Sequence, residues 1–141
     1  MALSRVSAPL ILTERFGRLT TALRYIVTIL CAASAGIHAA LVQPHVGEAG
    51  PLVGAAFAAA SLALAVAALA VRQPRHDAWA PIAAAVVLGL IAVGYLLSRT
   101  TGIPLLITAR EEPDPLGVFT TGAELIGALG AAVLIRMKET A

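Results

Sequence analysis

The sequence predicts an all-α protein: a bundle of four transmembrane helices, with both termini cytoplasmic and an N-terminal amphipathic interfacial helix. Three observations lead to this prediction. The composition is 59% hydrophobic and 13% charged, whereas soluble domains average roughly 25% charged residues. The apolar residues fall into four segments, each about as long as a helix needs to cross a bilayer. Finally, the basic residues alternate between the two sides that these segments would define.

Residues 1–24 are predicted to form a cytoplasmic amphipathic segment and not a secretory signal, because their charges precede the apolar run by too many residues. Four apolar residues recur there at helical spacing, namely Leu12, Phe16, Leu19 and Leu23. One interpretation is a helix on the inner membrane surface, with Arg15 and Arg18 toward anionic lipid. The alternative is a cytoplasmic extension of the first span. The residues alone do not choose between the two.

Residues 25–141 form the predicted four-helix transmembrane domain. Its spans are expected at about 25–42, 52–71, 80–98 and 116–135. They must be helical because lipid offers no partner for open backbone N–H and C=O groups. Proline stands at the start of three spans, at Pro51, Pro81 and Pro115, where its missing N–H costs nothing. Asp114 is placed to cap the last helix.

The basic residues predict the orientation. One side of the membrane would hold Arg5, Arg15, Arg18, Arg24, Arg72, Arg75, Arg136 and Lys138. The other side would hold Arg99 and Arg110 beside several carboxylates. Because cytoplasmic loops carry the positive excess, the loops 43–51 and 99–115 are expected to face outward. The alanine-rich composition is typical of high-GC bacterial genomes, so the expected location is the bacterial cytoplasmic membrane, as a multi-pass protein.

Polar and small residues mark the helix faces expected to avoid lipid. On the first span these are Thr28, Cys31, Ser34, His38 and His45; on the fourth they are Gly117, Thr120, Thr121, Glu124, Gly127 and Ala131. The third span ends in Tyr95, Ser98 and Arg99. We therefore expect the first, third and fourth helices to share an interior seam. The second, with Ser61 as its sole polar side chain, would be a packing wall. Close backbone approach is expected at Gly36 and Gly127.

His38 and Glu124 are predicted to meet. His38 lies about 6 Å from the outer end of its span, and Glu124 about 12 Å into the fourth. Glu124 is the sole acidic residue within a predicted span, where an uncompensated charge costs at least ~2.5–3.5 kcal/mol. It therefore needs a proton, a partner or water. His38 is the first candidate partner and Arg99 the second.

Three interpretations of this outer polar cluster compete. It is a structural His–Glu or Arg–Glu pair, a binding site, or a proton-conducting device in which Glu124 and His38 exchange protons with the outside. A site for a small polar ligand would use His38, Glu124, Arg99 and Tyr95. A transition metal (zinc, copper or iron) would be held by His38, His45, Glu48 and Glu124, since imidazole and carboxylate are suitable ligands. No acid or base in the inner half of the spans completes a proton path.

Other classes of function find no support in the sequence. It has no GxSxG motif and no phosphate-binding glycine loop, so we expect no enzyme. A net charge of +2, with no basic run carrying aromatic residues, argues against nucleic-acid binding. The single Cys31 excludes an internal disulfide and any CxxC site. The expected partners are the lipid bilayer and either a larger membrane complex or further copies of the chain. The acidic stretch 109–115 is a solvated loop, or else attracts a cation or an extracytoplasmic partner.

Three stretches resemble a group of small four-span membrane proteins from high-GC bacteria. They are IHAALVQPHVGE (37–48), LLSRTTGIP (96–104) and EEPDPLGVFTTGAEL (111–125). The resemblance covers most of the chain after residue 25. It implies a histidine in the first span, here His38, a Pro44-His45 element, an SRTxGxP turn at Ser98–Pro104, and an acidic fourth span. It implies that the outer cluster is a unit, and it carries no particular activity.

The sequence therefore favours a non-enzymatic role. The protein is expected to be an accessory or a ligand- or metal-binding membrane subunit with an outward-facing polar site. The alternative is a small proton- or cation-coupled transporter that uses Glu124.

The orientation yields the first testable prediction. A reporter fused after Ala141 should be active only in the cytoplasm, and one inserted near Gly47 only outside, because of the asymmetry in basic residues. Paired cytoplasmic and extracytoplasmic reporters measure this directly. The reverse pattern would overturn the orientation and move the polar cluster to the inner face.

Overall fold

The computed structural model describes residues 8–73, 79–104, 106–107 and 110–139, with side chains described between residues 14 and 137. It contains four α-helices: α1 (Ala8–Ala49), α2 (Pro51–Arg72), α3 (Trp79–Thr100) and α4 (Pro115–Glu139). The prediction of an all-α four-helix protein is confirmed. Each helix is long and apolar enough to cross a membrane, as a multi-pass membrane protein requires. Of the basic residues behind the predicted orientation, Arg5, Arg75 and the Lys138 side chain lie outside the described residues, as does the Leu12 side chain.

The first helix differs from its prediction at both ends. It runs without a break from the N-terminal segment into the span, so a separate surface helix ending at residue 24 is not supported. The structure shows the continuous extension instead, since a lone Gly17 costs too little to interrupt a helix of this length. At the other end, α1 continues through Pro44 to Ala49. Proline there removes one hydrogen bond near the helix end, and the predicted loop at 43–51 shrinks to the single residue Gly50, with φ 95°.

Successive helices pack side by side and run antiparallel. Between α1 and α2, the Ser61 hydroxyl donates to the Ala35 carbonyl at 2.9 Å, and Arg24 donates to the Gln73 carbonyl at 3.4 Å. Near the turn, a Cβ on the buried Gly54 would stand 2.1 Å from a Val46 methyl. The small residues of α2 therefore let it approach α1 closely.

The helices form a ring in which α1 packs on α2 and α4, and α3 packs on the same two. Because α1 and α3 lie diagonally opposite, they touch at few positions. The predicted seam of the first, third and fourth helices is thus wrong for the α1–α3 pair, while α4 does contact both. The second helix is a full member of the ring, because its alanine-rich surface packs on α1 and α3 alike.

The interior is divided along the bundle axis. Toward the Arg24 and Arg72 end it is apolar, with Val27, Leu64 and Leu88 fully buried. The buried polar side chains of the described residues lie toward the other end, namely Ser34, His38, Ser98, Thr120, Thr121 and Glu124. Large apolar side chains cover the outside, as lipid contact demands: Leu62 is 68% exposed and Phe119 73%. A polar pocket at one end of the bundle is the consequence of this division.

The two glycines that are expected to allow close backbone approach differ from each other in the structure. Gly127 is buried, and a Cβ there would stand 2.9 Å from a Leu88 methyl and 3.4 Å from Leu30. Gly36 is exposed, and nothing lies within 4 Å of the position of its Cβ. The expectation for Gly36 is therefore wrong. Small residues at this point of a span often pack against another helix, but α1 presents Gly36 to the outside of the bundle.

The two glycines make a matched pair of substitutions. Gly127→Leu should destabilise the protein by about 1–3 kcal/mol, because the added side chain must displace Leu88 and Leu30. Gly36→Leu should leave stability unchanged or raise it slightly, since leucine favours helix and meets no neighbour. Thermal unfolding in detergent measures both. If Gly127→Leu proved as stable as the wild type, α4 would not be closely packed at Gly127.

Candidate ligand-binding cavity

A cavity of about 670 Å³ lies between the helices at the end that carries the α1–α2 turn and the α3–α4 loop. Its volume falls within the ~300–1,000 Å³ typical of small-molecule sites. All four helices and the loop contribute to its walls. Every residue that the sequence singled out as a candidate site residue lines it: His38, His45, Glu48, Tyr95, Arg99 and Glu124. The structure thus gathers these residues around one space.

Glu124 lies at the deep end of the cavity and is only 1% exposed. The Ser34 hydroxyl donates to its Oε1 at 2.6 Å, and the His38 Nδ1 lies 3.9 Å from the same oxygen. The predicted meeting of His38 and Glu124 is therefore present, with Ser34 as a third member. Ser34 had been placed on the polar face but not in the site. Its position one turn before His38 was the signal that could have found it.

His38 is held by its own helix. Its Nδ1–H donates to the Ser34 carbonyl at 2.9 Å, so a neutral ring keeps its acceptor lone pair on Nε2. His45 repeats the arrangement, with Nδ1–H donating to the Leu41 carbonyl at 2.9 Å. Both imidazoles therefore lean along α1 and expose their remaining edges to the cavity.

An aromatic side chain of α2 packs against both histidines. The Phe57 ring stacks on His45 at a centroid distance of 3.9 Å and lies 5.4 Å from His38. The sequence analysis does not single out Phe57, because it predicts that the second span only packs against the other helices. The signal was that Phe57 is the one aromatic residue in an alanine-rich helix. The ring gives the polar cavity an apolar wall.

The proposed metal ligands do not assemble. Among the residues that the structure describes, no three His, Cys, Asp or Glu side chains lie close enough to hold a metal ion. His38, His45, Glu48 and Glu124 thus share the cavity without forming a ligand set. The obstacle is the spacing of these side chains and not the hydrogen bonds of Nδ1, because those bonds leave Nε2 of each ring available as a ligand.

Arg99 does not reach Glu124, contrary to its role as the second candidate partner. Its guanidinium pairs with Glu111 and with Asp114, whose Oδ2 lies 2.8 Å from Nη2. It also lies over the Tyr95 ring, 4.7 Å from the centroid. Two carboxylates and an aromatic face therefore hold the charge of Arg99 at the rim, away from the deep end.

The α3–α4 loop brings those carboxylates into place. Gly102, with φ 76°, ends α3 and donates its N–H to the Leu97 carbonyl at 2.8 Å. A positive φ there suits glycine, which has no Cβ to clash. The chain then folds back, and the Glu111 N–H donates to the Ser98 carbonyl at 3.0 Å. Asp114 caps α4 as predicted, because its Oδ1 accepts the Gly117 N–H at 2.7 Å.

Comparison with known proteins adds no further constraint. No protein-family model matches the chain, and no curated protein or solved structure is significantly similar to it.

The contact between His38 and Glu124 predicts non-additive mutations. His38→Leu and Glu124→Leu should each destabilise the protein, and the double variant should lose less than the sum, because a lone buried polar group is worse than none. The coupling should be about 0.5–3 kcal/mol, and added zinc or copper should leave it unchanged. Thermal unfolding of the four proteins in detergent gives the cycle.

A second cycle provides the control for this experiment. His45 lines the same cavity but stacks on Phe57, so His45→Leu and Glu124→Leu should add within roughly 0.5 kcal/mol. Additive losses in the His38 cycle as well would mean that His38 and Glu124 do not interact. Coupling that appears only with metal present would restore the metal site.

Proposed function

We propose that the protein is a non-enzymatic, ligand-binding subunit of the bacterial cytoplasmic membrane, with both termini in the cytoplasm and the cavity facing outward. The observation that carries this proposal is the 670 Å³ cavity. Its walls combine apolar side chains with a few polar groups fixed in place. That combination is characteristic of sites for small molecules.

The polar groups of the cavity are held in place by other groups of the protein. Ser34 fixes the Glu124 carboxylate, and the Ser34 carbonyl fixes the His38 ring. At the rim, Asp114 and Glu111 hold Arg99. A site whose donors and acceptors need no rearrangement loses little conformational entropy on binding. This supports recognition rather than packing as the role of the cluster.

A purely structural pair explains less. A Ser–Glu–His contact can join α1 to α4 without an open space beside it, and well-packed interiors leave few voids larger than a water molecule. The cavity, lined from all four helices, goes beyond what joining two helices requires.

A transporter that uses Glu124 would need a path through the bundle on which its substrate passes this residue. On the far side of this residue the interior is filled by apolar side chains, including Val27, Leu88 and Leu134. Ions or protons would need this core to open. The geometry therefore favours binding from one side over passage, and transport by Glu124 stays the alternative.

A blocked cavity tests the proposal. Gly94 lines the cavity and nothing lies within 4 Å of the position of its Cβ, so Gly94→Phe should fill part of the space without disrupting the helices. Gly89, on the same helix, is equally open but does not line the cavity. Gly89→Phe is therefore the matched control.

The readout is the set of lipids and small molecules that co-purify with each protein in lipid nanodiscs, identified by mass spectrometry. Wild type and Gly89→Phe should retain at least one compound that Gly94→Phe loses, with all three proteins unfolding at similar temperatures. Identical sets of compounds from the three proteins would contradict a binding role for the cavity.

A further inference from the structure

The ionisable residues around the cavity are strongly unbalanced in charge. Five carboxylates line it, those of Glu48, Glu111, Glu112, Asp114 and Glu124, against the single guanidinium of Arg99. Arg99 is already paired with two of the five. The carboxylates of the described lining therefore outnumber its basic side chains, even when both histidines are counted as cations. Such a lining concentrates cations and repels anions.

The carboxylate at the deep end of the cavity is the one that most needs a positive charge beside it. Glu124 is 1% exposed and accepts its hydrogen bond from a neutral hydroxyl. The nearest described candidate for a cationic partner is His38, whose Nδ1–H is directed at a backbone carbonyl. A carboxylate in a membrane interior is costly unless a positive charge or a proton accompanies it. A bound cation beside Oε2 would provide that charge.

The size and walls of the cavity indicate which kind of cation. A bare metal ion would need several ligands around a small space, and the described residues offer no such group. The cavity instead has room for an organic molecule, and the rings of Phe57 and Tyr95 line it together with its carboxylates. Aromatic faces attract alkylammonium groups through the ring quadrupole. Arg99 already lies over Tyr95, which leaves Phe57 as the wall for an apolar body.

We propose that the ligand of this cavity is an organic cation, an amine or quaternary onium compound, whose charge pairs with Glu124 and whose apolar part packs against Phe57. This inference rests on the proposed function and names the chemical class of its ligand. The rim carboxylates of Glu48 and Glu112, both exposed, draw the cation in. The buried carboxylate then holds it.

Two ions of the same size and shape but opposite charge test whether the cavity prefers a cation or an anion. Tetraphenylphosphonium and tetraphenylborate are each titrated onto the protein in nanodiscs of zwitterionic lipid, and partition into empty nanodiscs is subtracted. Wild type should bind the phosphonium saturably and the borate not at all. Glu124→Gln should weaken phosphonium binding by at least about tenfold, as expected when a buried charge pair loses one member.

Three further variants separate the possible explanations. Glu14→Gln removes the same charge from an exposed position on α1, outside the cavity, and should bind like the wild type. The double variant Glu48→Gln/Glu112→Gln keeps the interior intact and so stands in for Glu124→Gln if that protein fails to fold. It should bind roughly twofold to tenfold more weakly at low salt and lose most of this difference at high salt. Gly94→Phe should abolish saturable binding.

The outcomes distinguish the two proposals. Borate binding as tight as phosphonium binding, or no saturable phosphonium binding to the wild type, overturns the cation inference. So does an unchanged affinity in both Glu124→Gln and the rim variant. Where the wild type binds either ion saturably and Gly94→Phe removes that binding, the cavity remains a binding site for another class of ligand. Phosphonium binding that survives Gly94→Phe overturns the binding role of the cavity, and the cation inference falls with it.

Discussion

A carboxylate inside a lipid-spanning helix must find its partners within the protein, and this constraint shapes the polar half of the bundle. A buried carboxylate at that depth is costly without a partner, and Glu124 takes the hydrogen bond to one of its oxygens from a neighbouring helix. The Ser34 hydroxyl donates this bond at 2.6 Å, which fixes how α1 and α4 are rotated against each other. Once that rotation is set, Gly127 and Gly130 of α4 lie against Leu30 and Val27 of α1. The apolar packing of the other half follows from the same register.

The cavity has a local cause in the way polar side chains are satisfied. His38, His45 and Thr120 each donate to the carbonyl four residues earlier in their own helix. Such bonds are available in a membrane without help from another helix, because the acceptor is always one turn away. The side chains then lie along their helices and fill less of the space between them. The space between the helices stays open where polar residues are concentrated, and closes where leucine and valine interdigitate.

The sequence pattern within a helix predicted correctly those features that depend on that helix alone. The four spans, the Asp114 cap and the polar faces of α1 and α4 all follow from spacing, and comparable depth was enough to bring His38 and Glu124 together. What failed depends on contacts between elements. The position of Gly36 in a small-residue stripe does not say which way α1 is rotated, and the ring order of the helices cannot be read from any one of them. Arg99 has Glu111 and Asp114 as partners because the loop folds back at Gly102, which sets distances that sequence separation does not encode. The predicted loop at 43–51 is mostly helix, because the hydrogen bond that Pro44 lacks is a small loss near the end of α1.

The rim of the cavity is one connected unit, and this explains how the loop can take part in a defined site. Asp114 caps α4 through Oδ1 while its Oδ2 accepts from Arg99, so the loop is tied to the ends of both α3 and α4. Gly117 lets Tyr95 and Asp114 approach α4 closely, because a Cβ at that position would stand 2.3 Å from the Tyr95 ring and 2.6 Å from the Asp114 carboxylate. Tyr95 can then support Arg99 from below. Loops usually move more than the helices that they connect. Here the charge pairs and the cap tie the Glu111 and Asp114 carboxylates to the helix ends, so that these two carboxylates have defined positions at the mouth of the cavity.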